Sequence, residues 1–300
     1  MQFDNYKFRC HYQGNLVSVP KPLTQNQKET LEAYRLKEKL TERQKKDWHE
    51  LENKLNNSLV YSLSETAKNF LVEIFWNEKH GRQTQLQNKY FSKGLSVEKE
   101  ARDLLSELFG VILTEDRERK SNDWVIGTRD IQHKDVVIDI KSTYNFNSFT
   151  KHLLENKHDF YFRQLDCYME LWGIKQALLA YVLVDTPFNL IDDEIRRLDW
   201  KENILNINGD VYDSKIETVV NLLQNHIYTE KALFEYTQQS STLKIEWFKD
   251  FKEIPKNERV HLVEHSFDKV RIEQRNECLT LCRHFLNNIK INNNINFKLN

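Results

Sequence analysis

The sequence predicts an α/β (α+β) fold in which a mixed central sheet is flanked by helices, with helical additions at both ends. Only 7 Gly and 4 Pro occur in 300 residues, so turn-forming residues are scarce and long helices are favoured over a strand-rich sandwich or barrel. The middle of the chain alternates between helix-like and strand-like segments, an order typical of a sheet covered by helices. A hydrophobic fraction of 39% is enough for a sizeable core and excludes a disordered chain.

The N-terminal part of the chain is predicted to be helical. Apolar residues of the segment 24–57 recur on one helical face, and Thr41 followed by Gln44 is typical of a capping box at a helix start. A further helix is expected over 64–78. We therefore predict a helical N-terminal appendage over residues 1–85.

Residues 86–190 contain the alternating segments of the predicted core. In chain order these are a helix over 96–109 that ends at Gly110, strands over 124–126 and 136–140, a helix over 161–172 that ends at Gly173, and a strand within the apolar run from Ala177 to Val184. The rest of the chain, residues 191–300, is predicted to be a mainly helical C-terminal extension packed on this core.

The charge balance excludes a basic surface that covers the whole protein. Lys and Arg together number 44 against 45 Asp and Glu, which leaves a formal net charge of −1. Contact with a nucleic acid would therefore need a local basic patch. The longest apolar run has far fewer than the about 20 residues that cross a bilayer, and the first residues are unlike a secretory signal. We expect a cytoplasmic protein with no membrane partner.

A carboxylate and an ammonium group project together from one predicted strand. Side chains alternate along a strand, so Asp139 and Lys141 share one face, and the neighbouring isoleucines lie on the other. The same spacing of an acid and a lysine occurs six times elsewhere, but in charged segments where a solvent-exposed face explains it. Asp139 differs because it follows three apolar residues and has a second acid, Asp130, at the end of a preceding strand.

Two predicted helices carry further polar side chains of interest. Glu98 falls within the apolar stripe of the helix over 96–109, where a carboxylate needs a cation or a donor. It is either a metal ligand or the partner of a buried base, and periodicity does not choose between the two. Gln164 and Tyr168 lie one turn apart toward the apolar side of their helix, where a half-buried tyrosine with a satisfied hydroxyl is the plain structural interpretation.

The acids Glu98, Asp130 and Asp139 together with Lys141 form an oxygen-rich set. Such a set suits Mg²⁺ or Mn²⁺ rather than zinc, because no His or Cys accompanies it. An ion of this kind polarises a phosphodiester and generates hydroxide at neutral pH. Lys141 would then hold or activate the attacking water and offset charge in the transition state.

The order of these motifs resembles the PD-(D/E)XK nuclease superfamily and, within it, the RecB/YqaJ-type phage recombination exonucleases, which are λ-exonuclease-like. The segments that carry the resemblance are 94–101, 127–130, 139–141 and 164–168, the last of which is similar to the Gln-x-x-x-Tyr motif of the RecB type. The likeness spans about residues 89–187. Asp139 stands where Glu is commoner, which shortens the reach of the carboxylate to the ion.

The resemblance implies a restriction-endonuclease-like core and a metal-dependent DNA exonuclease that acts at duplex ends in recombination or repair. It also implies a bacterial or phage-infected host cell, a single-strand annealing protein as partner, and a homo-oligomer, since ring-shaped trimers occur among phage exonucleases. The residues that it assigns are Glu98, Asp130, Asp139 and the Ile140 main-chain carbonyl as metal ligands, with Glu98 binding directly or through water, Lys141 as a catalytic residue, and Gln164 and Tyr168 as site support or DNA contacts.

Three other functions stay open from the residues. The chain could be an endonuclease of restriction or repair type, a non-catalytic DNA-binding scaffold that kept the fold, or a helical structural protein whose acids neutralise their neighbours. The presence of all three acids together with Lys141 argues against the scaffold.

Overall fold

The computed structural model describes residues 2–58, 60–82, 88–154 and 158–289. Within these residues the chain forms twelve α-helices and seven β-strands. The helices are α1 (Gln13–Leu16), α2 (Gln25–Arg35), α3 (Glu42–Asn56), α4 (Glu65–His80), α5 (Lys89–Ser96), α6 (Glu98–Phe109), α7 (Phe146–Leu154), α8 (Asp159–Trp172), α9 (Phe188–Glu202), α10 (Ile216–Gln224), α11 (Glu230–Gln239) and α12 (Lys269–Asn288). The strands are β1 (Phe8–Arg9), β2 (Arg119–Ser121), β3 (Val125–Thr128), β4 (Ile131–His133), β5 (Val136–Ser142), β6 (Gln176–Val182) and β7 (Val260–Ser266). Short 3-10 helices cover Cys10–Tyr12, Asp213–Lys215, Ile245–Phe248 and Lys256–Glu258.

The chain divides into two compact units. The first consists of Met1–Thr84, Ser121–Gly127 and Asp268–Asn300, and the second consists of Gln85–Lys120 and Thr128–Phe267. The three-part division into appendage, core and C-terminal extension stays a prediction, since its first boundary and the end of the extension lie outside the described residues.

The first unit contains the predicted N-terminal helices, of which α4 packs against α1 and α12, while α2 and α3 pack against each other. The capping box predicted at Thr41 is confirmed, because its hydroxyl accepts from the Gln44 backbone while the Gln44 side chain accepts from the Thr41 backbone. Leu71 of α4 and Leu279 of α12 are fully buried. None of the helices formed by the described residues is long and apolar enough to cross a membrane.

A four-stranded mixed sheet lies at the centre of the second unit, in the order β4-β5-β6-β7. Strand β5 runs parallel to β6 and antiparallel to β4, and β7 runs antiparallel to β6. This arrangement confirms the predicted α/β fold with a mixed sheet. Strand β7 was not expected from the sequence, because its mixture of polar and apolar residues gives no clear alternation and it pairs only at the edge of the sheet.

Helices α6 and α8 cover this sheet and carry the predicted site residues. Ala101 and Leu105 of α6 pack with Ile138 of β5 in one apolar core. Both helices end where expected, at Gly110 and Gly173, whose left-handed backbone (φ of 65° and 70°) a glycine adopts without strain. A second apolar core lies among α9, α10 and α11.

The single helix expected over 96–109 begins later and is preceded by another. Helix α5 ends at Ser96, α6 begins at Glu98, and Val97 between them leaves helical geometry with φ −111° and ψ 11°. The short α5 went unrecognised because its eight residues are too few to establish a helical period. The break matters for the site, since it sets which direction the first turn of α6 faces.

Candidate active site

Strand β5 brings the buried carboxylate and the lysine together. Asp139 is 0% exposed, and Lys141 Nζ lies 2.7 Å from its Oδ2 oxygen. The alternation of the strand places both side chains on one face, as predicted. Both residues pair with β6, at Leu179 and Tyr181, whereas β4 pairs only with residues 136–138, so the pair lies just beyond the end of β4.

Helix α8 ties this pair in place through one amide. Gln164 Nε2 donates to Asp139 Oδ1 at 3.1 Å and to the Tyr168 hydroxyl at 2.8 Å. Its Oε1 accepts from Lys141 Nζ at 3.4 Å. The structure thus brings Gln164 and Tyr168 to the predicted site, with the tyrosine hydroxyl satisfied. Such a connected network fixes the orientation of both charged side chains.

A cavity of about 480 Å³ opens beside the network. Glu98, Asp130, Ile140 and Lys141 are among the residues that line it. Asp139 does not line the cavity, because its side chain is fully buried, but it pairs with Lys141, which does. Four of the five residues predicted to bind the metal or to take part in catalysis therefore line one cavity, and the fifth, Asp139, lies directly behind Lys141.

The expected position of Glu98 on the core-facing arc of its helix is wrong. The side chain is exposed and lines the cavity at the first position of α6, although Val97 before it and Ala101 after it are buried in the apolar core. Among the described residues, no base pairs with Glu98. The reading of Glu98 as partner of a buried base therefore has no support.

Asp130 lies in the bend between β3 and β4, and its backbone is tethered to a loop. The Asp130 carbonyl accepts from the Asp116 N–H at 2.9 Å, and the Asp116 carboxylate accepts from Arg129 Nε at 2.5 Å. The Arg129 guanidinium also lies 4.7 Å from the centre of the Trp172 ring. This group was not predicted from the sequence, since Asp116 and Trp172 are brought to Arg129 only by the tertiary fold.

Two carboxyl groups, those of Asp130 and Asp139, share this site with a single ammonium group, and the two disfavour each other's ionisation. Burial and the charge of Asp139 raise the pKa of Asp130 to about 8, while Lys141 opposes the rise. Burial alone would lower the pKa of Lys141, but Asp139 and Asp130 outweigh it, and the pKa is raised. A hard cation between the carboxylates would remove this conflict, so the donors fit a divalent ion.

The carboxylates do not form a closed metal cage. Among the described residues, no group of three or more His, Cys, Asp and Glu side chains is arranged to hold a metal ion. Mg²⁺ is commonly bound by one or two carboxylates and keeps several waters, so Asp130, Asp139 and the Ile140 carbonyl would suffice as protein ligands. The assignment of these residues, and of Glu98 through water, stays a prediction.

Two further side chains of the cavity were missed. The ring of Tyr161 lies 5.0 Å from Lys141 Nζ, and Arg102 lines the same cavity as Glu98. Both could have been found from helical spacing, because residues three or four apart lie on the same helix face. Tyr161 precedes Gln164 by three residues, and Arg102 follows Glu98 by four.

Comparison with known proteins gives a likeness in fold. No family model and no curated protein matches the chain. A phage-related exonuclease from Haemophilus somnus 129PT superposes with a TM-score of 0.57 at 21% identity, covering 94% of each chain. An alkaline exonuclease (LHK-Exo) from Laribacter hongkongensis superposes with a TM-score of 0.46 at 12% identity, covering 76% of this chain and 83% of that one. The chain thus has a fold similar to that of a phage-related exonuclease.

Proposed function

We propose that this chain is a metal-dependent DNA exonuclease that hydrolyses phosphodiester bonds at duplex ends. One observation carries the proposal: Asp130 and the Asp139–Lys141 pair lie at a single cavity, with Gln164 holding the pair. The fold similar to that of a phage-related exonuclease supports it. Two carboxylates beside one ammonium are the groups needed to hold a hard cation and an attacking water beside a phosphate.

Each residue has a distinct part in this reaction. Asp130 and Asp139 would hold Mg²⁺ or Mn²⁺, which supplies polarisation of the phosphate and raises the acidity of a water. Lys141, paired with Asp139 at 2.7 Å, stays an ammonium and donates to the attacking oxygen and the developing phosphate charge. Gln164 keeps the Lys141 and Asp139 side chains in the geometry that this requires.

The wider setting of the activity rests on the resemblance of the motifs. We propose DNA recombination or repair as the process, a bacterial or phage-infected cell as the location, and a single-strand annealing protein and further copies of this chain as partners. Within the described residues the site is built from the second unit alone, which is compatible with activity in one chain.

Digestion of linear and covalently closed duplex DNA tests the proposal. Each strand of the linear substrate carries a separate 5′ label, and Mg²⁺ is compared with EDTA. We expect nucleotides to be released from the linear substrate only, and only with Mg²⁺. Cutting of the closed circle would instead show an endonuclease. The absence of any Mg²⁺-dependent cutting would favour a DNA-binding scaffold or a structural protein.

A further inference from the structure

The guanidinium group of Arg102 lies at the cavity without a partner among the residues that the structure describes. Arg102 is half-buried, lines the cavity, and lies one helical turn after Glu98 on α6. Within the part of the chain that the structure describes, its guanidinium forms no hydrogen bond or ion pair. A cation left free beside a group of acids is available for an anionic ligand.

The other basic groups near this cavity are already engaged. Lys141 pairs with Asp139 at 2.7 Å, and Arg129 pairs with Asp116. Lys99, on the same helix as Arg102, pairs with Asp103 at 2.7 Å and is not among the residues that line the cavity. Among the described residues, Arg102 is therefore distinguished from these basic neighbours by having no side-chain partner.

The negative charge of the acidic side chains at the cavity favours a cation such as Arg102 beside a bound phosphate. Without a metal ion, Glu98, Asp130 and Asp139 would repel a DNA backbone, and the single charge of Lys141, which pairs with Asp139, offsets only part of that repulsion. Arg102 lies one helical turn from Glu98 and lines the same cavity as Asp130 and Lys141. Arg102 therefore suits a phosphate beside the one being cut.

We infer that Arg102, with the Ser142 hydroxyl that also lines the cavity, forms a subsite for the DNA backbone phosphate adjacent to the scissile one. The planar guanidinium offers paired N–H donors to phosphate oxygens, and the serine adds a neutral donor. The inference rests on the proposed function and adds to it a residue that fixes the position of the substrate strand. Such a contact contributes to DNA binding whether or not hydrolysis follows.

The test measures DNA affinity against salt concentration for Arg102→Ala, with Lys99→Ala as the matched control. A fluorescent linear duplex is titrated with the full-length protein in EDTA, so that no strand is cut. We expect Arg102→Ala to weaken binding about 10-fold at low salt. It should also make the slope of log affinity against log salt less negative by about one unit, because one phosphate contact is lost. Lys99→Ala, which removes the same charge from the same helix, should leave the slope unchanged.

A conservative variant and a hydrolysis assay complete the test. Arg102→Lys should restore most of the slope, because an ammonium still neutralises a phosphate. In Mg²⁺, Arg102→Ala should raise KM more than it lowers kcat. Equal salt slopes for Arg102→Ala and Lys99→Ala, with a wild type that binds and digests DNA, would overturn the subsite alone. A wild type that neither binds nor digests DNA would overturn the proposed function as well.

Discussion

Replacing Lys141 with alanine is expected to lower the rate of DNA hydrolysis by about 100- to 1,000-fold. The substitution removes the ammonium that lies 2.7 Å from Asp139 and faces the cavity. It also leaves a fully buried carboxylate without its cation, which destabilises the fold. Initial rates of nucleotide release from a labelled linear duplex, at equal concentrations of folded protein, measure the effect.

A second variant separates catalysis from stability. Lys141→Arg keeps the positive charge beside Asp139 and should melt close to the wild type, yet it cannot place a single N–H group at the same point. We therefore expect its rate to fall by at least about 10-fold. Lys201→Ala is the matched control, because Lys201 follows Asp199 with the same spacing but is 75% exposed. Rates of both Lys141 variants within a few-fold of that of Lys201→Ala would contradict the catalytic role.

The second large effect is on stability and concerns Lys93 of α5. This side chain is 0% exposed, and its Nζ donates to the Tyr144 carbonyl at 2.9 Å. Burial lowers the pKa of Lys93 to about 7, although Asp185 opposes the change. An unfolded lysine titrates near about 10.4, so between pH 7 and 10 the unfolded chain holds a proton that the folded chain has released. The free energy of unfolding should therefore gain up to about 1.4 kcal/mol per pH unit in this window from Lys93.

Lys93→Met removes this gain. Relative to the wild type, the free energy of unfolding of the variant should be highest below pH 7, where the wild type buries an ammonium group. This difference should shrink as the pH rises to 10. The unpaired Tyr144 carbonyl costs about 1–3 kcal/mol at every pH and does not alter the trend. Burial and the charge of Lys93 lower the pKa of His226 to about 4, so the direct titration of this neighbour lies below the window.

Urea unfolding of Lys93→Met and the wild type between pH 6 and 10 measures the difference. Lys99→Met serves as the control, because Lys99 lies on the next helix in an exposed ion pair. It should differ from the wild type by no more than about 0.5 kcal/mol. A difference between Lys93→Met and the wild type that stays constant from pH 7 to 10 would show that Lys93 is not buried as an ionisable group.

Strand and helix periods were enough to predict much of the site. Asp139 and Lys141 could be paired from alternation alone, because a strand allows no other arrangement of residues two apart. Gln164 and Tyr168 could be placed on one helix face for a similar reason. The hydrogen bonds that join the two pairs depend on how α8 packs on β5, which local sequence does not contain.

The remaining parts of the site depend on tertiary structure. Glu98 was expected in the core because it shares a helical stripe with Ala101 and Leu105, but as the first residue of α6 it lines the cavity instead. Lys93 lies in a polar segment, so its burial follows from the packing of α5 rather than from its neighbours in sequence. Arg102 is chemically ordinary among 44 Lys and Arg, and what distinguishes it is its place at the cavity together with the lack of a partner among the described residues.

Hydrolysis of a linear duplex with one phosphorothioate at its terminal linkage tests whether Asp130 and Asp139 hold a metal ion against the phosphate that is cut. If a hard cation held by Asp130 and Asp139 contacts the phosphate being cut, sulfur in the contacted position should slow hydrolysis in Mg²⁺. Because Mn²⁺ accepts the softer ligand more readily, it should restore the rate. We expect this rescue for the wild type and no rescue for Asp139→Asn. A rate of hydrolysis that is the same in EDTA as in Mg²⁺ would contradict the metal-dependent mechanism. A rate that the sulfur substitution leaves unchanged with both Mg²⁺ and Mn²⁺ would contradict it as well.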